Sequence, residues 1–454
     1  MFLDRKYLLS NPTAVRIYDT ICDLPIIDPH NHADVAAIAR NENFANAWQL
    51  FAATDHYVWE VLRKAGVPEH LITGDASDHD KFIAMANVFE EIAGNPVYEW
   101  VHLDLNFLGI HDRLCPENAE HTWNSVNAAL ALDENKPLAL LKRSNIEVMC
   151  STDDPVDLLE HHAVVNEKFG RTLVRPTWRP DKALKICDRD FTSYVSKLAN
   201  RFQMEIKSID DLIEALRKSH DYFQEHGCLA SDHGLTVMLS GVGCMEKANE
   251  AFLDVLNGKR IAGEAAENYM NCLFGELCEM NTKTDWVTQL HFGAVRDVRQ
   301  YLYRTIGPDS GGDVSDIFQN HQPNLIQFLN RFDSRLKIVL YCLDPNHQPT
   351  LATLSRAFGA KVRLGSAWWL CDTPVGMRRQ LEYIGSVDLF SAFAGMVSDS
   401  RKLLSYSSRF AMFRRVLSSV LGNMVENGQI PDFIAINLAK KMCYDGPKAF
   451  FGIQ

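Results

Sequence analysis

The sequence predicts an α/β protein, a (β/α)8 barrel of the TIM type with a helical insertion after its first strand. Three observations predict it. Eight short apolar runs each end in polar or charged residues, helical pattern fills the intervals, and no glycine-rich dinucleotide fingerprint follows any run. Short buried strands alternating with helices imply parallel βα units. Eight such units favour a closed barrel over an open doubly wound sheet. Periodicity alone supports the parallel α/β sheet, and the strand number is the finer expectation.

In chain order the runs are 24–27 before Asp28, 146–150 before Ser151, 172–174 before Arg175 and 228–230 before Ser231. They continue with 286–290 before His291, 337–343 before Asp344, 362–364 before Gly365 and 395–397 before Ser398. About 115 residues separate the first two runs, too many for one βα connection. Patterns such as 46–51 and 80–86 make this stretch helical, so it reads as an insertion at the mouth of the barrel. The expected organisation is therefore 1–35 for the N-terminal segment and first strand, 36–145 for the helical insertion, and 146–454 for the rest of the barrel. A second helical insertion is expected near 234–284.

Composition narrows the function classes. With 454 residues, 46% hydrophobic and 23% charged, the chain can bury a large core. The net charge of −12 comes without any long basic run, which argues against nucleic acid or an anionic membrane as partner. A few buried arginines could still bind an acid. The 11 cysteines run from Cys22 to Cys443 without a CxxC pair, the pattern of reduced thiols in a reducing compartment. No secretory leader pattern opens the chain, and no stretch approaches the ~20 apolar residues of a membrane helix. A cytoplasmic location is expected. A homo-oligomer is the common default for such a chain.

The strongest chemical signal is Asp28-Pro29-His30-Asn31-His32, directly after the first run. Residues two apart on a strand share a face, so His30 and His32 project together as two imidazoles on one metal require. Asp399 ends the last run and would complete a two-histidine, one-carboxylate set, because first and last strands are neighbours in a closed barrel. Arg401 shares its face. Read singly, Asp399 and Arg401 would be a plain ion pair or a helix cap. Arg179 could hold a carboxylate in bidentate fashion or simply pair with Asp181. His56 and Tyr57 could form an acid/base pair reaching over the site, although packing is the commoner fate of such residues. His233 and His291 end the fourth and fifth strands as optional contacts to metal or substrate. Trp368 and Trp369 end the seventh and would wall a pocket or pack in the core.

With these residues in place, the chain resembles the amidohydrolase superfamily, and nearly end to end it is similar to the uronate isomerase family. The resemblance rests on Asp55-His56-Tyr57, Trp178-Arg179-Pro180-Asp181, Ser231-Asp232-His233, Leu290-His291-Phe292-Gly293, Gly365-Ser366-Ala367-Trp368-Trp369 and Asp399-Ser400-Arg401, in family order. It implies a barrel of the metal-dependent hydrolase kind holding one divalent metal, zinc by expectation, on His30, His32 and Asp399. It implies Tyr57 and Asp399 as acid/base groups, His56 and Arg179 near the substrate, and Arg401 steadying negative charge. His233, His291 and Trp369 are carried as further substrate contacts. The implied reaction interconverts D-glucuronate with D-fructuronate and D-galacturonate with D-tagaturonate through a cis-enediol. Asn31 stands where some relatives carry Cys, and its side chain should point away from the metal. The rival reading is a one-metal amidohydrolase acting on a small acidic substrate. The fourth run ends without the Lys or Glu that bridges two metals, which favours a single ion.

Overall fold

The computed structural model describes residues 2–316 and 319–453. Among them the strands are, in chain order, β1 (Ile26–Asp28), β2 (Ile146–Cys150), β3 (Val174–Arg175), β4 (Ala230–Leu235), β5 (Val287–Phe292), β6 (Ala294–Val295), β7 (Val314–Ser315), β8 (Lys337–Cys342) and β9 (Val362–Leu364). Strands β1-β2-β3 form one parallel sheet and β4-β5-β8-β9 another. Isolated parallel bridges from Trp178 to Asp153 and to Ser231 connect the two. Strands β6 and β7 are a short antiparallel pair beside the second sheet. The result is a mixed α/β fold built on parallel sheets, with helices between the strands.

The apolar runs lead into the strands; β1, β3, β4 and β5 extend past their runs, β2 and β9 coincide with theirs, and β8 stops one residue short. β4 continues through Ser231, Asp232 and His233 because its backbone pairs residue for residue with β5, His233 opposite Leu290 and Gly234 opposite His291. Ladder hydrogen bonds do not depend on side-chain polarity. At β4 the apolar run therefore marks the buried start of the strand rather than its end.

The eighth expected strand is a correction. Residues 395–397 form no strand. Gly395 turns the chain at φ 115°, and the Ser398 N–H donates to the Asp28 carboxylate at 2.9 Å rather than to a backbone carbonyl. The segment nonetheless lies between its expected neighbours. Ala394 donates to the Leu364 carbonyl, Asp399 to the His30 carbonyl and His32 to the Ser400 carbonyl.

Among the described residues the regular elements between β1 and β2 are all helices, including Ala47–Phe51, His56–Lys64, Asp78–Val88 and Pro96–Phe107. Helices Met245–Leu256 and Glu264–Thr284 occupy the interval between β4 and β5. The long helix Ser405–Glu426 is buried over most of its length and packs against Pro12–Ile21. No helix of the described residues is long and apolar enough to cross a membrane, and no described cysteine is paired.

Candidate active site

Five ligand-capable side chains meet where the ends of β1, β4 and β5 come together with the 394–400 segment. His30 and His32 point the same way after β1. Their Nε2 atoms lie 3.1 Å and 3.3 Å from one oxygen, Asp399 Oδ1. Asn31 points away, donating to the Cys150 carbonyl and accepting from Ala33 N–H. The other Asp399 oxygen, Oδ2, accepts from the Tyr57 hydroxyl at 3.4 Å. Asp28 braces the arrangement from below by accepting from the Ser398 N–H and hydroxyl.

A second group shares His30. Asp232 Oδ2 is 3.7 Å from His30 Nδ1, and Asp232 Oδ1 is 2.6 Å from His291 Nδ1. The close pair lacks hydrogen-bond geometry: both Asp232 oxygens, both His291 nitrogens and His30 Nδ1 are buried without a hydrogen-bond partner. The ligand atoms of His30, His32 and Asp399 lie within 4.8 Å of one another, as do those of His30, Asp232 and His291. Arg179 faces this second group, with Nη1 2.9 Å from Asp232 and Nε 2.8 Å from Asp181. Gly234 makes room for it, since a Cβ there would sit 2.3 Å from Arg179 Nη2.

Burial works against ionisation of Asp232, but Arg179, His30 and His291 outweigh it and hold the carboxyl well below the usual range. Asp399 behaves likewise: desolvation opposes its charge, and hydrogen bonds from His30 and His32 overcome it. Desolvation lowers His32 and takes His291 down to about 4, which keeps both imidazoles neutral at pH 7. Burial, with Asp399 adding to it, pushes the Tyr57 phenol well above its ordinary value.

The remaining wall comes from the helical stretch after β1 and from the loop after β9. Asp55 caps helix His56–Lys64 by accepting from the Tyr57 N–H. That cap fixes where the first turn of the helix presents His56 and Tyr57. Their rings stack at 4.7 Å, and Trp369 meets His56 edge-on at 5.7 Å. Trp368 (φ 66°), Trp369 (φ 46°) and Asp399 (φ 47°) all hold the left-handed conformation that non-glycine residues avoid. Such strain concentrates where surrounding structure over-determines a functional geometry.

One cavity of about 480 Å³ takes in His30, His32, His56, Tyr57, Arg179, His291, Trp369, Asp399 and Arg401, a volume typical of small-ligand sites. His233 does not reach it. Its ring is bonded to Ser231 Oγ at 2.9 Å and packed on Phe274. Strand alternation sends His233 to the helical side and its neighbour Asp232 inward. The sequence reading missed Asp232, although the same period-two rule applied to β4 singles it out once one end of the strand is placed.

A family model described as glucuronate isomerase matches residues 1–451. The uronate isomerase of Thermotoga neapolitana is 47% identical over 455 residues, covering 99% of this chain and 100% of that protein. The chain belongs to the glucuronate isomerase family. In solved structures, the uronate isomerase of Thermotoga maritima superposes with a TM-score of 0.97 at 46% identity, covering 99% of this chain and 100% of that one. The glucuronate isomerase of Caulobacter crescentus superposes at 0.95 with 28% identity, covering 100% and 97%. Family membership thus spans the whole chain.

Proposed function

We propose that this protein interconverts aldose and ketose forms of hexuronates, D-glucuronate with D-fructuronate and D-galacturonate with D-tagaturonate, by proton transfer through a cis-enediol. The observation that carries the reading is the division of labour at Asp399. Its Oδ1 faces His30 and His32, and its Oδ2 faces the Tyr57 hydroxyl within the same cavity.

The donor set fits one divalent metal, and zinc suits two imidazoles with a carboxylate. His30, His32 and Asp399 would hold it. Asp232 is better read as an outer charge partner of His30, 3.7 Å from its Nδ1, since Arg179 already compensates its charge. When bound, the metal supplies Lewis acidity toward a substrate oxygen. The chain's own residues supply the rest. Asp399, held ionised, takes the C2 proton as the C2–H electrons form the C1–C2 double bond. Tyr57, held protonated, gives its proton to the C1 oxygen. The Asp399 carboxyl, its proton exchanged with solvent, then protonates C1 while the C2 hydroxyl proton passes back toward Tyr57, which completes the ketose. Among the described residues Arg401 makes one ion pair, 3.8 Å to Asp309, and it opens to the cavity, where it would offset charge developing on the enediolate. Arg179, held by two carboxylates, presents a fixed face to the sugar acid, with His56, His291 and Trp369 as further walls.

We further infer that the two parallel sheets and the 394–400 segment close as a (β/α)8 barrel, with 36–145 as an insertion at its mouth. The bridges at Trp178 and the hydrogen bonds from 394–400 to both Leu364 and 28–32 support closure. The unpaired cysteines fit a reducing, cytoplasmic setting.

Incubation of the protein with each uronate in D2O, with and without zinc, followed by proton NMR tests the reading. Zinc-dependent ketose with deuterium at C1 is expected. Absence of ketose from both sugars in folded, metal-loaded protein would defeat the isomerase reading, and ketose without deuterium would redirect the mechanism to hydride shift or shielded transfer.

A further inference from the structure

One buried cation lines the same cavity without belonging to either ligand set. Arg409, on helix Ser405–Glu426, is 1% exposed. Its Nη1 donates to the Ser398 carbonyl at 2.8 Å, one residue before Asp399. Its guanidinium carbon lies 4.6 Å from the centre of the Tyr57 ring and 4.2 Å from that of Trp100. Among the described residues, its only carboxylate contact is Asp372 Oδ2 at 3.9 Å. The other oxygen of Asp372 accepts from the Trp368 N–H at 2.9 Å.

A buried guanidinium is expensive, and an apolar side chain of similar volume would pack the same space at lower cost. What an apolar residue could not do is reach three separate pieces of the site at once. Arg409 holds the strained turn that carries Asp399, backs the ring of Tyr57 across the cavity, and, through Asp372, braces the turn in which Trp368 and Trp369 adopt positive φ. These pieces come from three distant stretches of sequence that share no backbone hydrogen-bond ladder. The planar, forked guanidinium suits this task where an ammonium would not. It stacks on aromatic faces and directs an N–H at a carbonyl in one rigid group.

We propose that Arg409 is a positioning residue for the isomerisation: it fixes the Tyr57 ring relative to Asp399 and ties both to the Trp368–Trp369 wall. This rests on the isomerase reading above. The role is geometric. Displacing a reacting group by about 1 Å costs on the order of 100-fold in rate, and the loss should fall on kcat because the substrate-facing Arg401 and Arg179 are untouched.

The test compares wild type, Arg409→Lys, Arg409→Met and Arg409→Ala as full-length, zinc-loaded proteins, with D-glucuronate and D-galacturonate as substrates. For Arg409→Met the expected kcat loss is about 100-fold, with KM within about threefold and unchanged zinc content. Arg409→Lys should lose nearly as much, because it keeps the charge without the fork. Added guanidinium ion should restore part of the Arg409→Ala activity, which a general loss of folding would not permit. Wild-type kcat in Arg409→Lys or Arg409→Met would overturn the proposal. If wild type itself turns over neither sugar, the isomerase reading fails separately. Crystal structures of wild type and Arg409→Lys then decide the clamp alone: a Tyr57 hydroxyl moved away from Asp399 supports it, and an unmoved one rejects it.

Discussion

The two sides of the cavity are built on different principles. The inner floor comes from strand ends, and its groups His30, Asp232 and His291 have side chains no more than 2% exposed. Each is held by neighbours on adjacent strands. The outer wall comes from helix His56–Lys64 and the stretch from β6 to β7, where Arg296 is 42% and Asp309 51% exposed. Contacts there are sparse and solvent-screened: Arg401 reaches Asp309 only at 3.8 Å, and Arg296 lies over Trp369 at 4.8 Å. The lesson is that the buried groups His30, Asp232 and His291 are fixed at strand ends, while the β6–β7 side of the wall, held by exposed charged pairs, is left easier to rearrange. Between the two lies a buried joint. Lys402 pairs with Asp55 at 2.9 Å and approaches Asp104 at 3.9 Å, linking the Asp399 loop to the helix that carries Tyr57.

The hardest test of the comparison removes a floor ligand. Asp399→Asn should lower turnover by about 10³-fold or more, the scale of several kcal/mol attributed to metal and charge stabilisation, with the circular dichroism spectrum unchanged. Retained turnover would mean that the floor is not the reacting surface. Next is the joint. Lys402→Met strands Asp55 and Asp104 without their cation, and chemical denaturation should show a loss of about 3–5 kcal/mol. A loss below about 1 kcal/mol, as for an exposed pair, would show that the joint is solvated and that floor and wall are not coupled through it.

Asp232→Asn probes the floor more gently. It keeps the shape but removes the charge facing His30 and Arg179. Zinc affinity or turnover should drop about 10–100-fold, as for other outer partners of metal-bound histidine. Unchanged zinc affinity and rate would reduce Asp232 to an ion-pair partner of Arg179.

The smallest expected effect lies in the outer wall. Burial, reinforced by Asp313, raises Glu60 from its ordinary value to about 7. A raised carboxyl favours the folded state while protonated, so this contribution is present at low pH and is lost as pH rises from about 4.5 through about 7. Glu60→Gln should therefore melt higher than wild type at pH 8, with the gap closing toward pH 5. Parallel melting curves across that range would show that the wall is more solvated at Glu60 than its burial implies.

Legibility in the sequence follows the same division. The HxH pair was readable because period-two geometry is local and His30 and His32 are two residues apart. Asp55 as a helix cap before His56 and Tyr57 is equally local. Asp232 was passed over for His233 because alternation specifies two faces without saying which one is inside. Arg409 and Lys402 gave no signal, since the partners of each lie hundreds of residues away or on other elements. Residues 395–397 read as a strand from their apolar character, but the Asp28 carboxylate takes the place of a backbone acceptor, a substitution that only proximity of the chain's two ends permits.

By itself, then, the sequence determined the parallel α/β class, the interval of helices after the first strand, the paired histidines and the family, because these depend on short-range periodicity and on many motifs in order. Tertiary structure alone decided which face of β4 enters the site, that Arg179 is shared between Asp181 and Asp232, and that Arg409 and Lys402 tie distant segments together. Those outcomes depend on which charges meet once water is excluded, and no local pattern records a partner brought in by the fold.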